Sequence, residues 1–347
     1  MDQLLTINQA SDWASKYLGK TVTPSNIAYL IQYGKVKKIG ENGSTVINVR
    51  DLRNYYKLLD HAKNNITDKA TLGKNIPEVT TKILLGDSRE VLKTFNDNLF
   101  DLVVTSPPYA DSRKSTYGGI DPRGYVNWFL PISEQLLRVL KPTGTFILNI
   151  KEKAENGERD TYVLDLILAL RKQGWLWTEE FIWHKSNCYP GKWPNRFRNA
   201  WERLLQFNKT HDFKMYQEEV MVPIGDWANS RLKNLSETDK IRDNSKSGSG
   251  FGKNISNWLK RSVVYPTNVL QFATVCNNKK HSAAFPEELP EWFIKLFSKE
   301  KDWILDPFVG SGTTLEVSQR MGRNSVGIDI MPEYVELAKT IVDQKNA

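Results

Sequence analysis

Phe100-Asp101-Leu102-Val103-Val104-Thr105-Ser106-Pro107-Pro108-Tyr109 is a strand followed at once by a turn with little freedom to move. Residues 101–105 are apolar and β-branched enough to read as a short buried strand. Two consecutive prolines then end it: neither donates a backbone hydrogen bond and each fixes its own φ. The residue ahead of each proline is pushed towards extended geometry. Ser106 and the Pro107 carbonyl are therefore expected in a rigid corner at the carboxyl end of a strand, with the ring of Tyr109 directly after. In an open α/β sheet, ligands bind at that place. A hydroxyl, a fixed carbonyl and an aromatic plane there suit a planar base that carries an exocyclic amino group. A stiff loop with no further role accounts for four residues just as well, so a second stretch has to arbitrate.

That stretch is Trp303-Ile304-Leu305-Asp306-Pro307-Phe308-Val309-Gly310-Ser311-Gly312-Thr313-Thr314. It reads as strand, glycine turn and helix, the helix continuing through Leu315–Arg320. Gly310 and Gly312 let the backbone approach a ligand and adopt angles closed to other residues. Thr313 or Thr314 is expected to cap the helix. A further strand, Ser325–Asp329, ends in a carboxylate suited to ribose hydroxyls, as in dinucleotide sites.

Together the two stretches resemble the amino-group DNA methyltransferases: Ser-Pro-Pro-Tyr their catalytic motif, Asp-Pro-Phe-x-Gly-Ser-Gly-Thr-Thr their S-adenosylmethionine loop. The resemblance runs from about Lys82 to Ala338. It implies catalytic roles for Ser106, Pro107, Pro108 and Tyr109. It implies cofactor contacts at Thr105, Asp306, Phe308, Gly310, Gly312, Thr313, Thr314 and Asp329. The strand Lys82–Leu85 leads to Asp87, which in this family lies by the adenosine, although it also suits the cap of the helix after it. The segment Asn277–Pro290 resembles the part that holds the methionyl end of the cofactor, with His281 and Phe285 as contacts.

The 347 residues allow one large domain of about 250 residues and a small one. A net charge of +8 favours a polyanionic partner. Cys188 and Cys276, the two cysteines, have no metal-ligand spacing, and no metal is expected. With no signal peptide and no long apolar run, a soluble protein of the prokaryotic cytoplasm, associated with the nucleoid, is expected.

Residues 1–64 read as a separate unit. A helix capped by Thr6 runs to about Tyr17, with Ile7, Ala10, Trp13, Ala14 and Tyr17 on one face. A second begins at Thr23-Pro24 and stops before Gly34. An Asn42-Gly43 hairpin and a third helix, Asp51 to Ala62, follow. This order resembles the winged helix-turn-helix of the excisionase and MerR type. It implies DNA contacts from Ser25, Asn26, Tyr29 and Gln32 on the second helix and Lys35, Lys37 and Lys38 in the wing. A module that only packs on the rest of the chain is the alternative. Residues 65–81 read as a linker.

Residues 82–208 are expected to form the catalytic half of the main domain and 265–347 the cofactor half. Between them, 209–264 lacks periodic pattern. Lys185 to Ser262 holds 15 basic against 8 acidic residues, a net of +7, interleaved with aromatics. In this family target recognition lies here, which implies DNA contacts from Lys185, Asn187, Arg196, Arg198, Lys246 and Lys253.

The catalytic motif precedes the cofactor loop, yet donor and acceptor must come within about 3–3.5 Å. The strands ending at Ser106 and Asp306 are therefore expected to be neighbours. The fold class expected is α/β, a circularly permuted, Rossmann-like sheet of about seven mostly parallel strands with helices on both faces. Carbon-5 cytosine chemistry needs a cysteine after proline, and neither cysteine has one. Serine at the first motif position resembles the cytosine-N4 members; adenine-N6 methylation stands as the alternative, and a DNA-binding regulator with an inactive methyltransferase body as the second. Duplex DNA bound by a monomer with the target base flipped out, and a separate cognate restriction endonuclease, complete the expectation.

Overall fold

The computed structural model describes residues 3–19, 22–32, 36–40, 46–56, 79–110, 119–155, 157–188, 195–223, 262–275 and 285–344. The amino-terminal unit begins with β1 (Leu4–Thr6), α1 (Ile7–Leu18) and α2 (Pro24–Gln32). It continues through β2 (Lys38–Ile39), β3 (Val46–Asn48) and a helix over 49–56, α3. Thr6 caps α1 in a reciprocal box with Gln9, and Gly19 closes it in the left-handed conformation at φ 63°. The three strands form an antiparallel sheet in the order β1-β3-β2. Its strand β1 was not expected from sequence, because three residues are too few to show an alternation. Ala10, Ala14, Ile27, Ile47 and Leu52 are wholly buried at its centre, whereas Tyr17 is 39% exposed and stacks on Trp13.

The large domain is built on eight strands. They are β4 (Thr81–Leu85), β5 (Phe100–Thr105), β6 (Leu140–Ile150), β9 (Leu176–Lys185), β10 (Trp201–Asn208), β13 (Val269–Phe272), β14 (Trp303–Asp306) and β15 (Asn324–Asp329). Two short pairs, β7 (Ala154–Glu155) with β8 (Glu158–Arg159) and β11 (Val222–Pro223) with β12 (Val263–Val264), stand apart from it. The sheet order is β13-β9-β10-β6-β5-β14-β15-β4, and only β10 runs against its neighbours. Eight strands replace the seven expected: β13 adds itself beyond β9. β6 also starts five residues before the expected Thr145, with a register shift against β5, and Gly144 has room for no side chain because a Cβ there would lie 2.9 Å from the Asp101 carbonyl.

Among the described residues six helices cover the sheet: α4 (Ser88–Val91), α5 (Pro122–Val139), α6 (Tyr162–Lys172), α7 (Glu288–Phe297), α8 (Thr313–Arg320) and α9 (Pro332–Gln344). Along β5, Val103 packs into a cluster with Phe129, Leu136 and Leu166 from α5 and α6. Its neighbours Leu102 and Val104 point the other way, against Phe293 and Phe297 of α7. A strand buried on both faces must be apolar throughout, which is why residues 102–104 show no alternation.

Candidate active site

β5 and β14 pair in parallel, Leu102 opposite Ile304 and Val103 opposite Leu305, so two segments about two hundred residues apart end side by side. A buried carboxylate fastens the two ends. Asp306 accepts hydrogen bonds from Thr105 Oγ1 at 2.6 Å, Thr314 Oγ1 at 2.7 Å and the Phe308 amide at 3.1 Å. Burial outweighs these bonds and pushes its pKa up to about 6. Thr105 and Thr314 are wholly buried, so their hydroxyls serve this knot.

Beyond it the glycine turn is shaped by a second carboxylate. Asp329 accepts from the amides of Gly310 at 3.0 Å and Met331 at 2.8 Å. Gly310 and Gly312 have φ of 51° and 91°. Gly312, not a threonine, is the residue before α8: the expected threonine cap gives way because Thr314 is turned inward to Asp306 and Thr313 faces Ser311. A Cβ on Gly312 would lie 2.9 Å from that of Ala338. Phe308 packs its ring on Trp128 and Phe129. Asp87 caps α4 through the Arg89 amide at 2.9 Å and pairs with the Arg89 side chain, while Ser88 ties this corner to the Pro307 carbonyl. Phe285 lies half-buried against the α7 side of the core.

At the end of β5, Pro107 is buried and the Pro108 carbonyl is held by Tyr125 Oη at 2.9 Å. Tyr109 turns its hydroxyl inward. It donates to Glu202 Oε2 at 2.7 Å and lies against Asn149 Oδ1, and Ser106 Oγ donates to it at 3.2 Å. Ser106 Oγ is also 3.5 Å from Asn149 Oδ1. Burial, then the Glu202 charge, raises the Tyr109 pKa well above its ordinary value. Glu202 is 4% exposed; burial works to raise its pKa, but Lys151 and Lys185 outweigh it and hold it below the usual value. Their ammonium groups stand 3.3 and 2.6 Å from Oε1.

Ser106 and Tyr109 have one proton each to give, and both are given inward, to Tyr109 Oη and to Glu202. The lone pairs of Ser106 Oγ are thereby left to accept from an incoming N–H. On the other side of the Asn149 amide, Nδ2 is buried with no hydrogen-bond partner among the described residues, a cost the fold bears unless a ligand relieves it.

Three expected DNA contacts find other neighbours. Lys185 is drawn in by the Glu202 charge and lies over the Trp183 ring at 4.8 Å. Asn187 staples its loop to Thr274, accepting from the amide at 2.6 Å and donating to the carbonyl at 3.0 Å. Arg198, exposed, reaches the Cys188 carbonyl at 3.4 Å, while Arg196 beside it is half-buried. Ser25, Asn26, Tyr29 and Gln32 lie on α2, and Lys37 is exposed beside β2. Lys35, Lys246, Lys253 and His281 lie outside the described residues. Reading the chain alone missed Asn149, Glu202 and Lys151. The available signal was a polar residue inside each of two apolar strands, Phe146–Ile150 and Leu204–Phe207 with its leading Glu202.

A family model described as DNA methylase matches residues 100–340. The chain belongs to the DNA methylase family. Its sequence is 32% identical over 298 residues to the type II methyltransferase M.PvuII of Proteus hauseri, covering 77% of this chain and 86% of that one. It is 28% identical over 267 residues to M.BglII of Bacillus subtilis, covering 75% and 68%. Among solved structures it resembles the PvuII DNA methyltransferase (cytosine-N4-specific), with a TM-score of 0.56 at 26% identity over 78% of this chain and 89% of that one. A putative DNA modification methylase of Thermus thermophilus, in complex with S-adenosyl-L-methionine, shares the fold with a TM-score of 0.51 at 23% identity, over 77% and 94%. No helix among the described residues of this DNA methylase is long and apolar enough to cross a membrane.

Proposed function

We infer that the chain is a type II DNA methyltransferase that moves a methyl group from S-adenosylmethionine to the N4 amino group of cytosine in duplex DNA, within a restriction–modification system. The observation that carries this is the side-by-side placing of the Ser106 corner and the Asp306 loop, joined by the Thr105–Asp306 bond of 2.6 Å. The cytosine-N4 assignment rests on the M.PvuII likeness together with serine at position 106. The eight-stranded order supports a circularly permuted methyltransferase sheet. In that reading residues 82–208 are its catalytic half, 265–347 its cofactor half and 209–264 a target-recognition region. Residues 1–64 then form a winged helix-turn-helix that touches DNA, supported by the order of α1, α2, β2, β3 and α3 and by exposed Lys37 and Lys38.

The glycine turn fits the cofactor, because Gly310 and Gly312 take the left-handed φ of 51° and 91° that such a turn requires and its shape is fixed from behind by Asp306 and Asp329. Gly310, Gly312, Thr313, Phe308, Asp87 and Asp329 would hold it, with Phe285 and His281 towards its methionyl end. When bound, it supplies an electrophilic methyl. Ser106 Oγ and the Pro107 carbonyl accept the two amino hydrogens of the flipped base, drawing the nitrogen lone pair out of the ring plane and towards that methyl. Tyr109, held by Glu202, keeps the Ser106 hydroxyl turned so that its lone pairs face the base. As the N–C bond forms and the bond from sulfur to the methyl breaks, the amino proton passes to Ser106 Oγ, whose own proton moves to Tyr109 Oη and from there to the Glu202 carboxylate.

The test is to incubate the protein with labelled S-adenosylmethionine and mixed-sequence DNA, digest, and identify the nucleoside. N4-methylcytosine is expected from the wild type, and a loss of about 10²-fold or more from Ser106→Ala with cofactor binding retained. Label in N6-methyladenine, or undiminished turnover by the variant, overturns the reading.

A further inference from the structure

Phe197 is 97% exposed, more than any other large apolar side chain described. It stands between Arg196 and Arg198 in the coil 195–200 that enters β10. Because β10 runs against β6, with Arg203 opposite Ile150, the residues ahead of Trp201 leave the sheet at the edge where Ser106 lies. The coil is pinned there by the bond from the Lys185 amide to the Ala200 carbonyl at 2.7 Å, and two residues on, Glu202 holds Tyr109. A Phe ring fully in water costs free energy that a folded chain ordinarily avoids. Its flanks say what covers it. Arg198 is exposed beside it, while Arg159 and Arg203, which lie over the ring of Trp201 at 6.0 and 5.4 Å, are paired with Glu152, so the guanidinium groups that flank the aromatic point directly are those of Arg196 and Arg198. Guanidinium groups recognise phosphates, and apolar side chains inserted between base steps hold a duplex open.

We propose that Phe197 enters the duplex beside the target cytosine and fills the space the flipped base leaves, with Arg196 and Arg198 on the flanking phosphates. This rests on the base-flipping reading above. Removing a base from the stack leaves its partner and neighbours without contacts, and an aromatic ring supplies a replacement face to any sequence. Phe197 then acts on the extrusion equilibrium alone. It touches neither the cofactor loop nor the amino group.

The site methylated in host DNA is first found by sequencing, and duplexes are made with the target cytosine either paired to guanine or opposite an abasic position. Single-turnover methylation by the full chain is compared for wild type, Phe197→Ala and Phe197→Trp. Phe197→Ala is expected to lose roughly 10- to 100-fold on the paired duplex, to recover most of it on the abasic duplex, and to bind S-adenosylmethionine as the wild type does; Phe197→Trp retains activity on both. Equal rates for wild type and Phe197→Ala on paired DNA overturn the proposal, as does an equal loss on both duplexes, which places the ring in binding or folding. Self-association of the wild type that Phe197→Ala abolishes assigns the ring to a second copy of this chain and also overturns it. Failure of the wild type to methylate either duplex instead marks failure of the enzymatic reading.

Discussion

Asp306 shows how a single carboxylate ties two distant segments together. Both oxygens are engaged, one by Thr105 and Phe308 and the other by Thr314, and the side chain is buried. Its pKa, raised from 3.8 to about 6, means that the folded chain binds a proton there which the unfolded chain has released. Its contribution to stability is fully present below about pH 4 and is lost as pH rises through about 6. Asp306→Asn cannot ionise and lacks this dependence. The stability of wild type relative to Asp306→Asn is therefore expected to fall by about 2 kcal/mol between pH 4 and pH 7, read from urea unfolding of both proteins across that range. A constant difference would mean that the carboxylate titrates alike in both states. The sequence named this residue through its motif as a cofactor contact; the bond from Thr105 was not legible there, because only the sheet brings Thr105 to it.

At the scale of an element, the turn from β14 into α8 is limited by helix packing as much as by ligand. Gly312 has φ 91°, and α9 passes so close that a Cβ would meet Ala338 Cβ at 2.9 Å and its Cα at 3.0 Å. Gly312→Ala combines a left-handed alanine with an overpacked contact and is expected to lose roughly 2–4 kcal/mol. Ala338→Gly in the same chain removes the closest contact but not the backbone strain, so it should recover about half of the loss when judged against Ala338→Gly alone; thermal melting of the four proteins measures this. A loss that Ala338→Gly leaves untouched would put the cost in φ and in the approach to the Ala338 backbone. Sequence made the strand, turn and helix legible because each has a local cause. It misplaced the cap, since Thr313 and Thr314 suit a cap by composition and only the inward turn of Thr314 leaves that position to Gly312. It missed β1 and β13, whose short segments are strands only because β3 and β9 lie beside them.

Over the whole molecule, what the chain revealed in advance was the meeting of its two motifs, because methyl transfer requires contact between groups that the sequence keeps far apart. What it hid was the rear of the Ser106 corner. Asn149 and Glu202 reach Tyr109 from 40 and 93 residues away, and that closeness follows from β6 and β10 lying next to β5 in the sheet. Lys185 shows the same limit. Its charge reads as a DNA contact, but a buried Glu202 requires it at 2.6 Å. Positive charge left for DNA must then be sought elsewhere, and the amino-terminal unit offers Lys37 and Lys38, both exposed. If they sit on phosphates, each releases a counterion on binding. Lys37→Ala/Lys38→Ala should then flatten the plot of log affinity against log salt by about two, from a slope of about 0.9 per phosphate contact. Single-turnover methylation at saturating DNA should be unchanged, since neither lysine belongs to the large domain that carries the chemistry. Filter binding over a salt series measures the slope. An unaltered slope would assign residues 1–64 to packing and leave the large domain to hold the duplex alone.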